Sequence, residues 1–149
     1  MKTGLLTRPL LVAALLFSSA VLAQAPATRA DLESQKATLL SKADLEALLP
    51  GATNENIAPR SGSTRSWSLA QGGRLTGRAT GGLNQNYTKA EGKWNIDDDG
   101  KYCVNVDWTW GGGASTEKWC AAVYKLGADY YAVTRNGADA VAWKQKISK

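Results

Sequence analysis

The chain contains no histidine, and its 149 residues include only two cysteines, one phenylalanine and one methionine. Without histidine there is no Cys–His or Ser–His pair to activate a nucleophile, so the common thiol and serine hydrolase mechanisms are excluded. Two cysteines without histidine also do not supply the four ligands of a structural zinc site. We therefore expect no metal site and no cofactor.

Long hydrophobic runs are also missing, except at the N-terminus. Lys2 and Arg8 precede an apolar run over residues 10–22, and Val21 and Ala23 are small residues at the −3 and −1 positions of a signal-peptidase site. An uncleaved membrane anchor is the alternative, but a helix needs roughly 20 apolar residues to span a bilayer. The pattern predicts a signal peptide over residues 1–23, a periplasmic or secreted protein, and no stable membrane insertion after cleavage.

The charge balance is only mildly basic. The formal net charge is +5, from 18 Lys and Arg against 13 Asp and Glu. Removal of Lys2 and Arg8 leaves 16 basic residues against 13 acidic ones, a net charge of +3. The arginines between residues 60 and 78 fall on alternating strand positions, which spreads them over a solvated face. We therefore expect no nucleic-acid partner.

The start of the mature chain reads as a tail followed by a helical segment. Residues 24–30 are rich in alanine and proline, which predicts a disordered tail. The helical segment is expected over residues 31–49, because its leucines recur at helical spacing and Ser41 with Asp44 resembles a capping box. The Pro50-Gly51 pair ends the helix.

From residue 52 onward, glycine-rich turns separate short segments in which aromatic or β-branched residues alternate with polar ones. This pattern predicts a mainly β domain over residues 52–149, with seven or eight antiparallel strands. Such a meander is expected to close into a small barrel or sandwich, because closure protects its edge strands. Near the C-terminus, Asn136-Gly137 predicts a two-residue hairpin turn before a last strand over residues 138–147.

The segment 101–125 contains both cysteines, and we expect it to be a disulfide-linked β-hairpin. Cysteines pair in the oxidising compartment that export implies. If Cys103 lies opposite Cys120, the connection shrinks to a two-residue turn at 111–112, where glycine tolerates positive φ. A longer loop over 111–115 with a diagonal disulfide is the alternative.

Tryptophan and tyrosine are the best lead to function. The chain has six Trp and five Tyr, and its one Phe lies in the predicted signal peptide. Trp and Tyr suit a half-wet pocket because each has a polar group on an apolar ring, although a core short of large aliphatic residues uses them as well. The expected ligand or partner surface comprises Trp108, Trp110, Tyr130 and Trp143, with Trp108 and Trp110 exposed at the hairpin tip.

Two classes of function remain. The first is a non-enzymatic binding module of the bacterial envelope, for an apolar or glycan ligand or for an envelope protein. The alternative is a hydrolase that uses paired carboxylates on glycans. Asp107 and Glu117 are the obvious pair, but strand alternation places them on opposite faces of the hairpin. The Asp97-Asp98-Asp99-Gly100 run is explained by a hairpin turn. We therefore expect no catalytic residues.

Several segments of the chain form a recognisable set: ADLEALL at 43–49 with the following Gly51, GKWNI at 92–96, DGKYCV at 99–104, and Trp119-Cys120 leading to Val123-Tyr124. In these segments the sequence resembles a known bacterial family of small exported proteins built on a single domain of unknown function. The resemblance covers roughly residues 43–144. Its motifs are turn and core residues, so the resemblance implies a fold and gives no reaction to transfer.

Overall fold

The computed structural model describes residues 25–57, 62–80 and 88–149, and these segments form nine strands and two short helices. The strands are β1 (Thr38–Leu39), β2 (Thr53–Ile57), β3 (Thr64–Leu69), β4 (Arg74–Thr80), β5 (Thr88–Ile96), β6 (Tyr102–Trp110), β7 (Gly113–Leu126), β8 (Asp129–Val133) and β9 (Ala142–Ser148). The helices are α1 (Arg29–Ser34) and α2 (Lys42–Leu48). The expected signal peptide lies outside the described residues.

Strands β2 to β9 form a closed barrel. Each pairs antiparallel with the next along the chain, and β9 pairs back with β2 through Asn54 opposite Ile147. The ninth strand, β1, lies outside the barrel and pairs with β7, where Thr38 faces Lys125. The prediction of a mainly β antiparallel meander is confirmed, and of its two forms the barrel is the one present. A barrel of eight strands has an interior just wide enough to be filled by side chains.

The disulfide hairpin has the predicted register. Cys103 lies opposite Cys120 with their Cα atoms 4.0 Å apart, and the two sulfurs form a disulfide. Val104 lies opposite Trp119, on the face that points into the barrel. The turn is the two-residue connection at 111–112, so the longer loop is excluded. Neither turn glycine has a positive φ, so that part of the prediction was wrong.

Helix α2 covers one end of the barrel, which we call the base. Leu45 and Leu49 are fully buried and join Leu69 and Leu75 in the main core cluster. Ser41 caps the helix by accepting a hydrogen bond from the Asp44 amide at 3.2 Å. The opposite end, which holds the β6–β7 turn, is called the mouth.

The N-terminal region differs from its prediction in two ways. A single helical segment was expected, but α1 and α2 are separated by β1, because Lys36 adopts a left-handed φ of 59° and the chain then pairs with the edge of β7. The expected tail is also wrong from Ala27 onward. Ala27 accepts a hydrogen bond from the Ala142 amide, and Thr28 bridges Val141.

The expected hairpin at Asn136-Gly137 is also absent. Strand β8 ends at Val133, β9 begins at Ala142, and the intervening residues 134–141 form a longer connection. The reason is competition for backbone partners, because residues 138–142 bond to the N-terminal segment, with the Arg29 amide donating to the Ala140 carbonyl at 2.8 Å. No helix in the described part of the chain is long and apolar enough to cross a membrane.

Candidate functional site

A glutamate points into the barrel near the mouth. Strand alternation places Glu117 on the inner face of β7, opposite Val106. Its Oε1 accepts hydrogen bonds from Arg65 Nη1 at 2.9 Å and Trp119 Nε1 at 2.9 Å, and its Oε2 accepts one from Trp108 Nε1 at 3.0 Å. The carboxylate is therefore held in one orientation by a cation and two indoles.

Arg65 completes this charged group from β3. Its guanidinium pairs with Glu117 and also lies over the rings of Trp108, at 5.2 Å, and Trp67, at 5.9 Å. The two side chains of the ion pair are 18% and 26% exposed. Partial exclusion from water strengthens both the ion pair and the cation–π contacts. We call Arg65, Glu117, Trp108 and Trp119 the mouth cluster.

A pocket of about 160 Å³ opens beside the mouth cluster. Its lining combines hydroxyl groups, one methyl group, one ion pair and two indoles, contributed by Ser63, Arg65, Ala79, Thr88, Trp108, Trp110, Ser115 and Glu117. Trp110 forms a wall of this mouth pocket, and its ring lies close to the β6–β7 turn. A Cβ atom built on Gly113 would lie 3.1 Å from Trp110 Cζ2. Glycine at this position allows the indole to lie over the turn.

The structure places the predicted surface residues in different environments. Trp108 and Trp110 both line the mouth pocket, but the expectation that Trp108 is exposed was wrong. It is 5% exposed, because it points into the closed barrel and packs edge-to-face on Trp67. Trp143 is half-buried and packs against Trp119, with ring centroids 6.2 Å apart. Tyr130 lies below the Lys125 ammonium, so neither Tyr130 nor Trp143 lines the mouth pocket.

Sequence reasoning missed the roles of Arg65 and Glu117. Each lies two residues from a tryptophan that points inward, Trp67 on β3 and Trp119 on β7. Residues two apart on a strand share a face, so this spacing could have placed both charged side chains inside the barrel. With Cys103 opposite Cys120, the register also placed Glu117 on the inner face. A charged residue on a face of tryptophans is costly to bury unless it is paired, and that conflict was a reason to look for a partner.

Further polar side chains lie in the barrel interior. Asn56 Nδ2 donates to Gln145 Oε1 at 3.3 Å, and both residues are buried. Burial raises the pKa of the Tyr102 phenol well above its usual range. Within the described segments, Asn54 Oδ1, Trp67 Nε1 and Tyr102 Oη have no hydrogen-bond partner of good geometry. The core is therefore apolar at the base and polar in its middle.

One group of potential metal ligands occurs in the described part of the chain: Asp97 with the two cysteines. Both sulfurs belong to the disulfide, so they are not available as thiolate ligands. Asp97 instead closes the β5–β6 turn, accepting a hydrogen bond from the Lys101 amide at 2.7 Å, and Gly100 occupies the left-handed position with φ 74°. This agrees with the turn interpretation of the aspartate run.

These features place the protein in the class of small, closed antiparallel barrels whose interior is packed with side chains. It belongs to the family described as "Protein of unknown function (DUF995)", which matches residues 13–146. The resemblance to a single-domain family of unknown function is thereby confirmed, over a longer stretch than its motifs had indicated. No curated protein and no solved structure matches the chain.

Proposed function

We propose that this protein is a non-enzymatic binding module of the bacterial envelope, and that its mouth pocket holds a sugar ring at the end of a glycan. One observation carries the proposal. The half-buried indole of Trp110 stands beside the fixed Arg65–Glu117 ion pair in the same pocket. An apolar ring face and a fixed set of polar groups are the two features that a sugar requires.

The lining suits a polyhydroxylated ring. The C–H face of a sugar packs on an indole, while its hydroxyl groups pair with the Ser115 hydroxyl and with the outer edge of the ion pair. Pockets for drug-sized ligands usually measure about 300–1,000 Å³, and the mouth pocket measures about 160 Å³. Only one end of a larger molecule fits such a volume, which favours a terminal sugar over a whole oligosaccharide.

The carboxylates support binding over hydrolysis. Glycosidases use two carboxyl groups that face each other across the bond to be cleaved. The described lining of the mouth pocket contains a single carboxylate, Glu117, which already accepts three hydrogen bonds. Asp107 lies on the outer face of β6, where it accepts a hydrogen bond from Thr116 Oγ1 at 2.7 Å.

The disulfide supports the envelope part of the proposal. Disulfides form and persist in oxidising compartments such as the periplasm and the exterior of the cell. The Cys103–Cys120 bond joins two directly opposed strand residues. A protein that depends on this bond is suited to a place outside the cytoplasm.

The test is a titration of mature protein with a panel of neutral oligosaccharides, followed by tryptophan fluorescence and calorimetry. Native mass spectrometry of protein purified from periplasm also shows whether a glycan co-purifies. Trp110→Ala should weaken binding at least tenfold, as expected for loss of a ring-stacking wall. Thr109→Ala, which alters the neighbouring exposed residue on the outer face, is the matched control. Equal affinities in the two variants would show that the mouth pocket is not the site.

A further inference from the structure

The outer face of strands β4 to β7 carries a concentrated positive charge. Five exposed basic residues point outward from these strands: Arg74, Arg78, Lys89, Lys93 and Lys118. Two exposed acidic residues share the face, so its formal charge is +3. This equals the whole net charge expected for the mature chain. We call this surface the outer basic face.

The sheet register arranges these cations in two rows that run across the strands. In the first row, Arg74 lies directly opposite Lys93, and Asn105 then separates Lys93 from Lys118. In the second row, Arg78 lies directly opposite Lys89. Like charges in directly opposed positions destabilise a sheet. Two such pairs on adjacent strands therefore do not contribute to the stability of the sheet, and we look for their explanation in binding.

A row of acidic residues lies between the two basic rows. Glu91 lies opposite Asp107, which is a third pair of like charges. Glu91 is two residues from Lys89 and from Lys93 along the same strand, a separation of about 7 Å. Charges of opposite sign are thus kept in separate rows, so the face presents bands of positive, negative and positive charge.

None of the five cations has a carboxylate partner. All 13 acidic residues of the chain lie in the described segments, and the ion pairs there involve other basic residues, such as Lys144 with Asp129. The rest of the sequence, residues 1–24, 58–61 and 81–87, contains no Asp or Glu. The positive charge of the outer basic face is therefore not neutralised from within the chain.

We propose that the outer basic face binds a linear acidic polysaccharide, which lies across the strands along the row of Arg74, Lys93 and Lys118. Neighbouring strands are about 4.8 Å apart, so this row extends about 14 Å from β4 to β7. A chain with an anionic group on each sugar, or on alternate sugars, can follow this row and contact several cations at once. This site is separate from the mouth pocket, which opens at the end of the barrel.

The banding favours a linear polymer over an anionic membrane surface. A flat surface would also have to approach the acidic row of Glu91 and Asp107, whereas a single chain can follow one basic row and avoid it. The exposed large apolar residues in the described part of the chain are Leu39, Ile57 and Val141, and none lies on β4 to β7. The outer basic face therefore has no apolar side chain to insert into lipid.

The same face is poorly suited to nucleic acid. Proteins that bind single strands stack the bases on aromatic side chains. The tryptophans and tyrosine of β5 and β6 all point into the barrel: Trp94, Tyr102, Trp108 and Trp110. The outward residues offer charge and hydrogen bonds, which suit a carboxylated or sulfated sugar chain.

The experiment measures binding of mature protein to labelled polygalacturonate and dextran sulfate, with neutral dextran as the uncharged probe. Wild-type protein should bind both anionic polymers and not neutral dextran, with an affinity that falls as salt is added. The Arg74→Gln/Lys93→Gln variant should lose about tenfold in affinity and show a shallower salt dependence. The control, Lys36→Gln/Arg135→Gln, makes the same change in net charge elsewhere on the surface and should bind as wild type.

A gain-of-binding variant guards against effects of misfolding. Glu91→Gln removes negative charge between the rows and should raise the affinity about twofold to threefold, which a damaged fold would not do. Trp110→Ala should leave this binding unchanged, so failure of the mouth pocket and failure of the outer basic face are distinguishable. The proposal is overturned if the two double variants bind alike. It is also overturned if anionic vesicles or a single-stranded oligonucleotide bind more tightly than both acidic polysaccharides.

Discussion

Arg65 and Glu117 form an ion pair across the interior of the barrel, with Nη1 and Oε1 2.9 Å apart although 52 positions separate the two residues in sequence. They belong to β3 and β7, which are four strands apart in either direction around the barrel. The pair therefore joins opposite walls and not neighbouring strands. Both side chains come from the inner faces near the mouth, and the ion pair is also part of the lining of the proposed sugar site.

Loss of the Glu117 charge should destabilise the protein. In Glu117→Gln, the Arg65 guanidinium remains inside the barrel without a counter-charge. We expect the free energy of unfolding to fall by about 2 kcal/mol, between the small effects seen for exposed pairs and the larger ones for fully buried pairs. Urea unfolding measures this. Asp107→Asn, on the exposed outer face of β6, is the control and should change stability by less than about 0.5 kcal/mol. An equal decrease in the free energy of unfolding for the two variants would show that the ion pair does not stabilise the fold.

Removal of the disulfide should lower stability without changing the fold. Cys103→Ala/Cys120→Ala releases a loop with a sequence separation of 17, and the chain-entropy model assigns about 3 kcal/mol to a loop of this size. Thermal unfolding, monitored by tryptophan fluorescence, measures the change. A reducing agent should destabilise the wild-type protein to a similar extent and have no effect on the variant. A reducing agent that destabilises both equally would contradict the expectation.

Gly92 should not tolerate a side chain. A Cβ atom at this position would clash with the Asn105 carbonyl oxygen and lie 2.7 Å from Val106 Cα, both backbone atoms of the adjacent strand. Gly92→Ala must therefore displace β5 from β6, and we expect a loss of about 3 kcal/mol or more. Gly72→Ala is the matched control, because its Cβ would have nothing within 4 Å. Comparable unfolding midpoints for the two variants would show that the strands separate easily.

Tyr102 should make the protein sensitive to alkaline pH. Its pKa is raised in the folded state by burial, so the folded protein keeps the phenol neutral after the unfolded chain has begun to ionise at about pH 10. The stabilisation is complete below that pH and decreases as the pH rises above it. Unfolding of the wild type and of Tyr102→Phe, compared near neutral pH and above pH ~10, measures this component.

The Tyr102→Phe variant should have no deficit at neutral pH. The Tyr102 hydroxyl is buried without a hydrogen-bond partner in the described part of the protein, so its removal should be neutral or stabilising by up to about 1 kcal/mol. The comparison isolates the contribution of this hydroxyl, because the two proteins differ only at Tyr102. A variant that is clearly less stable near neutral pH would show that the hydroxyl has a partner. A variant as sensitive to alkali as the wild type would show that Tyr102 is not the source of the alkaline destabilisation.

The sequence predicted local relationships well. The β6–β7 register followed from alternation and from one pair of cysteines, both within the same hairpin, and the structure confirms Cys103 opposite Cys120. The capping box at Ser41 and Asp44 was likewise readable, because its partners are three residues apart. In both cases the determining contacts lie close together in the chain.

Relationships that depend on closure were not predictable in the same way. Alternation indicates which face of β3 holds Arg65, but the partner of Arg65 depends on how many strands separate β3 from the opposite wall. The Asn136-Gly137 turn failed for a related reason, since residues 138–142 pair with the N-terminal segment at Thr28 and Arg29. The position of Trp108 near a hairpin tip predicts an exposed side chain. Its burial follows from closure of the barrel, which a local pattern does not show.

The pairing of β2 with β9 determines when during folding the barrel can close. β2 precedes all the other barrel strands in the chain and β9 follows them. The strand that closes the barrel is therefore synthesised after the other seven. Contacts between such distant segments form slowly, because a long loop must close before they are made. A chain that emerges N-terminus first therefore cannot close the barrel until residues 142–148 are present. Truncation before Ala142 should leave two unprotected strand edges, which are prone to aggregation.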